Sequence, residues 1–102
     1  MKRGEVWWYE RPDRKRRPVL VLTRTKAVGR LSKIITVPAT STVRGWDTEV
    51  PLDQDDGMPQ PCVLVLDNAQ STRKALLTER VTKLGPERMS EVCRALSAAT
   101  DC

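Results

Sequence analysis

The chain has 102 residues, with 18 Lys and Arg against 13 Asp and Glu for a net charge of +5, so residues 1–102 are expected to form one domain with a single core and no separate functional lobe. It has no histidine, which excludes the commonest metal ligand and the commonest general acid–base. No apolar run approaches the length of a membrane span and the N-terminus does not read as a signal peptide, so a soluble, cytoplasmic protein is expected.

Charge is unevenly placed. Residues 1–33 hold eleven Lys/Arg and three acids, and residues 34–102 hold seven and ten, a footprint that favours a polyanion, with nucleic acid the first candidate. Cys62, Cys93 and Cys102 match neither zinc nor redox spacing and are expected as free thiols.

Gly4–Tyr9 reads as a strand rich in aromatics. Alternation puts Val6 and Trp8 on one face and Trp7 and Tyr9 on the other, so the two indoles cannot share a core. Trp8 has two readings, a base-stacking platform beside a basic loop or ordinary packing under that loop. Glu10–Arg17 has no apolar periodicity and reads as a mobile basic loop carrying Arg14, Lys15 and Arg16. Pro18 then opens a continuous apolar run to Thr23, the pattern of a strand buried on both faces. Arg17 is expected at the mouth of that strand, held by rigid scaffold below a cleft.

Arg24–Lys33 is expected as a second basic connection, turning at Gly29. Lys33–Val37 is β-rich, and Pro38 is expected to end the strand or mark a bulge. Thr40, Ser41 and Thr42 follow, hydroxyls that suit either local turns or phosphate oxygens. Thr48–Leu52 reads as a short edge strand, Asp53–Pro61 as an acidic solvated turn, and Cys62–Leu66 as a central strand. Asp67–Thr72 brings polar groups, among them Asn68, Gln70 and Ser71, that can position or read a ligand. A turn and strand up to Leu84 are broken by Gly85-Pro86. Met89, Val92, Cys93, Leu96 and Ala99 then recur at helical spacing, with Cys93 expected as a small buried hydrophobe.

In their order, Arg3-Gly4-Glu5-Val6-Trp7, Arg17-Pro18-Val19-Leu20-Val21-Leu22, Pro38-Ala39-Thr40-Ser41 and the Asp67-Asn68 segment make the chain resemble the MazF/PemK (Kid-like) toxins of type II toxin–antitoxin systems over essentially its whole length. The resemblance implies an α+β, mainly β fold, a small SH3-like/plasmid-toxin β-barrel with a C-terminal α-helix. It also implies a homodimer and a metal-independent endoribonuclease that needs no cofactor, cuts single-stranded RNA at short sequences and so inhibits translation. The implied partner is a cognate antitoxin whose acidic, extended C-terminal tail occupies the RNA groove. Carried over by position, Arg17 and Thr40 are the catalytic candidates, and Arg14, Lys15, Arg16, Trp8, Ser41, Asn68, Gln70 and Ser71 the RNA contacts. The chain departs from the family in the basic segment Arg11–Arg16 and in Gln70, which stands where a cation is usual. Two rival readings are a CcdB-like gyrase poison and a nucleic-acid-binding module without catalysis.

Overall fold

Three strands follow from the residues around Pro18. In the computed structural model, which describes residues 1–102, β1 (Glu5–Tyr9) and β3 (Lys33–Thr40) flank β2 (Arg17–Val21) in antiparallel pairing. Val19, Leu20 and Val21 have no solvent exposure, as expected for a strand covered on both faces. Val19 and Val21 join a cluster with Val28, Ile34 and Leu77, against which Trp7 and Tyr9 pack. Leu20 points the other way, into the larger core with Val6, Val37, Leu64 and Val92. Each of these buried aliphatic side chains contributes about 1.5–3 kcal/mol relative to exposure.

The sheet continues through β4 (Glu49–Leu52), β5 (Cys62–Val65), β6 (Gln70–Arg73) and β7 (Leu77–Lys83). Its order is β4-β5-β3-β2-β1-β7, with β6 paired to β3. β4 is an edge strand, as Pro51 suggests. β3 does not end at Pro38: it pairs with β6 over Lys33–Thr36 and with β5 at Ala39 and Thr40. Pro38 falls where one neighbour hands over to the other, a place where a missing N–H costs little.

Two elements lie where no local pattern announces them. Arg24–Lys33 contains a single helical turn, α1 (Thr25–Val28), with Ala27 and Val28 buried. Lys74 Nζ donates to the Val28 carbonyl at 2.7 Å, a cation at a helix C-terminus. Four residues are too few for periodicity to register. The polar Gln70–Arg73 segment is β6, a strand made by its ladder to β3 rather than by its own pattern.

α2 (Pro86–Thr100) begins with Pro at its first position and closes the larger core with Val92 and Ala95. Cys93 is exposed, contrary to the expectation of burial. The buried stripe is centred on Val92 and Ala95, and Cys93 lies one residue, some 100°, off that line. Its Sγ lies 3.5 Å from an Arg3 guanidinium nitrogen. No helix is long and apolar enough to cross a membrane.

Candidate nucleic-acid interface

Strand register explains how residues far apart in sequence meet at Arg17. Tyr9 pairs with Arg17 across β1 and β2, and Val19 pairs with Pro38 across β2 and β3. Continuing that second register by two residues sets Arg17 opposite Thr40, where both strands leave the sheet. Arg17 lines two hollows. One, of about 260 Å³, is lined by Trp8, Lys15, Arg16, Thr40, Ser41, Gln60 and Cys62 among others. The other, of about 290 Å³, is lined by Tyr9, Arg11, Val19, Pro38, Asn68 and Gln70. Each is close to the lower limit of a small-ligand pocket, the scale of one nucleotide rather than of a folded RNA.

The first hollow gathers Trp8, Lys15, Arg16, Arg17, Thr40 and Ser41, and the second takes Asn68 and Gln70. Two of the sequence-derived candidates stand apart. Arg14 lines neither hollow; it is exposed in the β1–β2 loop, its N–H bonded to the Arg11 carbonyl at 3.3 Å. Ser71 is excluded by pleat. Gln70 and Thr72 face the Arg17 side of the sheet, so Ser71, paired with Ile35, turns to the opposite face.

Trp8 is half-buried, and the Arg16 guanidinium covers it 4.2 Å from the ring centroid. Arg16 also reaches Glu79 at 3.7 Å, the residue paired with Trp8 in β7. The outward face at this point is therefore the plane of Arg16, a group that stacks as an aromatic does while carrying charge. The same arrangement recurs in the second hollow, where Arg11 lies 5.0 Å above the Tyr9 ring.

Thr40 Oγ1 accepts the Thr42 N–H at 3.2 Å. This local turn occupies one acceptor position and leaves the hydroxyl proton free to donate. Burial pushes the Cys62 thiol up, with the Asp56 charge adding to it, so Cys62 remains a protonated wall residue and not a nucleophile at neutral pH. Below the second hollow, the hydroxyls of Thr36 and Thr72, both buried, bond each other at 2.8 Å and tie β6 to β3 beneath Gln70.

Tyr9, Arg11, Gln60 and Cys62 were not among the candidates. Period-two alternation already places Tyr9 on the Arg17 face and could have singled it out. Gln60 and Cys62 arrive through the Asp53–Pro61 turn, whose path no local pattern encodes.

A family model for the PemK-like, MazF-like toxins of type II toxin–antitoxin systems matches residues 2–100. The chain belongs to this toxin family. It is 42% identical over 101 residues to a probable endoribonuclease MazF5 of Mycobacterium tuberculosis, covering 98% of this chain and 93% of that one. A probable endoribonuclease MazF2 of the same organism is 37% identical over 103 residues, with both chains covered in full. Among solved structures, the Mycobacterium tuberculosis toxin MazF-mt6 superposes with a TM-score of 0.87 at 33% identity, covering 95% of this chain and 96% of that one. The mainly β fold with a C-terminal helix is thus that of the MazF-like toxins, and the two hollows about Arg17 belong to a member of that family.

Proposed function

We propose that this MazF-like toxin is an endoribonuclease that cuts single-stranded RNA at a short sequence, with the scissile phosphate at Arg17 and a nucleotide in each flanking hollow. The single observation that carries the placement is that Arg17 lines both hollows. The cytoplasm, where such RNA is translated, is its site of action.

The chemistry follows from the groups present. As the RNA's own 2′-hydroxyl gives up its proton to solvent, its oxygen attacks the adjacent phosphorus and forms a 2′,3′-cyclic phosphate. The bond to the 5′-oxygen breaks, that oxygen takes a proton from solvent, and negative charge grows meanwhile on the non-bridging oxygens. The planar fork of Arg17 donates two hydrogen bonds to those oxygens, and a charge-assisted pair of this kind strengthens as the charge develops. Thr40, with one lone pair taken by the Thr42 N–H, donates a hydrogen bond to a phosphate oxygen or orients the attacking hydroxyl through its remaining lone pair. An arginine is a poor general base because its side chain holds its proton at any working pH, so Arg17 acts electrostatically. Lys15 and Arg16 attract the flanking phosphates. Asn68 and Gln70 offer paired amide donors and acceptors to base edges. Charge is supplied by the side chains themselves, so the reaction is assigned no metal.

Two partners complete the proposal. An antitoxin with an acidic, extended tail fits the same cationic hollows, and support comes from a related fold described as an endoribonuclease in complex with its cognate antitoxin. A homodimer is the assembled state, supported by Ile35, 48% exposed in the middle of β3, on the same face as Ser71. The test is incubation of the purified chain with a single-stranded RNA pool in chelator. Discrete new ends with a 5′-hydroxyl, which need phosphorylation before ligation, are the expected result. Salt-sensitive binding without scission would leave only a binding module.

A further inference from the structure

Beyond the two hollows, the connection from β3 to β4 holds an exposed tryptophan in a built loop. We infer that Trp46, with Arg44 laid over it, is a specificity-determining stacking platform for an unpaired base of the RNA just outside the cleft. This rests on the RNA-cleaving reading above.

Trp46 is 56% exposed and its neighbour Val43 67%, in a chain that otherwise half-buries its indoles. The Arg44 guanidinium lies 5.6 Å from the Trp46 ring centroid, so a cation accompanies the apolar surface. The loop is fixed by its own backbone: the Glu49 carboxylate accepts the N–H of Arg44 at 3.1 Å and of Gly45 at 2.9 Å, and Glu49 N–H donates to the Trp46 carbonyl at 3.1 Å. Gly45 sits at φ 78°, the left-handed conformation that glycine adopts without strain.

Both ends of the loop are anchored to site elements. It leaves from Thr40 and Ser41 of the first hollow. At its far end Thr48 donates its hydroxyl to Asp67 at 2.6 Å, and the Leu66 N–H donates to the Thr48 carbonyl at 2.9 Å, beside the turn that carries Asn68. Trp46 lies five positions after Ser41, so their Cα atoms are no more than about 18 Å apart. An extended strand seated at Arg17 covers that distance within a few nucleotides. An aromatic face with a stacked arginine, preorganised on a loop whose ends join elements of the cationic cleft, suits a nucleobase, because every base has a π-face and a phosphate beside it.

The test compares wild type, Trp46→Ala and Trp46→Phe, with folding of each checked by circular dichroism. The substrate is the most efficiently cut oligonucleotide from a randomised single-stranded RNA pool, resynthesised with one abasic nucleotide at each flanking position in turn. Trp46→Ala is expected to raise KM roughly 5- to 150-fold with kcat little changed, the span that one base–aromatic stack supplies, and Trp46→Phe to restore most of it. At one position the abasic substitution should cost wild type that same factor and Trp46→Ala almost nothing. Equal abasic penalties in wild type and Trp46→Ala at every position would overturn the inference. So would a fall in molar mass of Trp46→Ala by light scattering, which would make the indole a subunit contact. Failure of wild type to cut any RNA would instead refute the reading on which the inference rests.

Discussion

The Thr36–Thr72 pair beneath the second hollow allows a prediction in which a double variant is more stable than either single one. The two hydroxyls bond only each other, at 2.8 Å, and their residues are 0% and 2% exposed. Changing Thr72 to Val keeps the side chain's shape but leaves the Thr36 hydroxyl buried without a partner, a cost of about 1–3 kcal/mol. Thr36→Val should cost a similar amount for the same reason. Replacing both removes the orphan, and apolar groups of matching shape bring the cost back to roughly zero, or stabilise. The coupling energy is therefore about 2–6 kcal/mol and opposite in sign to the single effects. Urea unfolding measures it, with the slope of the transition confirming that only stability has changed. The double variant should also cut RNA at the wild-type rate, because Gln70 keeps its place on β6. A double variant as unstable as the sum of the two singles would refute the reasoning, and would mean that the methyls do not pack where the hydroxyls did.

Other expectations follow from single groups. Gly57 has φ 91°, and a Cβ added there would stand 2.8 Å from Thr82 Cβ and collide with Thr82 Oγ1, the hydroxyl that donates to the Asp56 carbonyl. Gly57→Ala should therefore lose about 2–4 kcal/mol in thermal or urea unfolding, from left-handed backbone, overlap and the lost hydrogen bond together, and a loss under 0.5 kcal/mol would contradict this. Burial pushes the Asp56 and Glu5 carboxyls up. Hydrogen bonds from Arg88 and the Asp53 N–H to Asp56, and from Trp7 and the Lys2 N–H to Glu5, outweigh it and hold both below their ordinary values of 3.8 and 4.5. Folded-state values below the unfolded ones add stability that is fully present above those ordinary values and lost as pH falls through the folded ones. Stability should hold from pH 7 to about 5 and drop below about 4.5, with Arg88→Met flattening the drop in an acid titration of unfolding. Gln70→Ala should shift the preferred base on one side of the cut by about 1–3 kcal/mol of discrimination, read by sequencing product ends, while an unchanged sequence profile would remove Gln70 from base reading.

Much of this architecture is legible in the chain. The proline-led run from Pro18 to Thr23 announces a doubly buried strand, which the structure ends at Val21, and Val92 with Leu96 announces the closing helix. The site is legible to the extent that strand mouths carry it: Arg17 and Thr40 sit at consecutive strand ends, and their meeting follows from register. Residues whose place depends on partners are not legible. β6 is polar and becomes a strand only against β3, and that pairing sends Ser71 away from Gln70. α1 is one turn long and is held by Lys74, 46 residues away. Cys93 shows the limit of helical spacing, since a stripe read one residue too wide takes in an exposed thiol. Alternation leaves Trp8 either a stacking platform or packed under the basic loop, and the structure covers it with Arg16, which also reaches Glu79 on a strand distant in sequence.

In the proposed reaction Arg17 stabilises the phosphate in the cleavage step, and single-turnover cutting by Arg17→Ala is the decisive experiment. The assay uses one optimally cut oligonucleotide with chelator present, and binding is measured on the same RNA bearing a 2′-deoxy sugar at the scissile nucleotide. The variant is expected to remain folded and bind within roughly tenfold of wild type, while cleavage falls at least about a hundredfold, as when a charged transition-state donor is removed. Cleavage by Arg17→Ala at the wild-type rate would contradict the account.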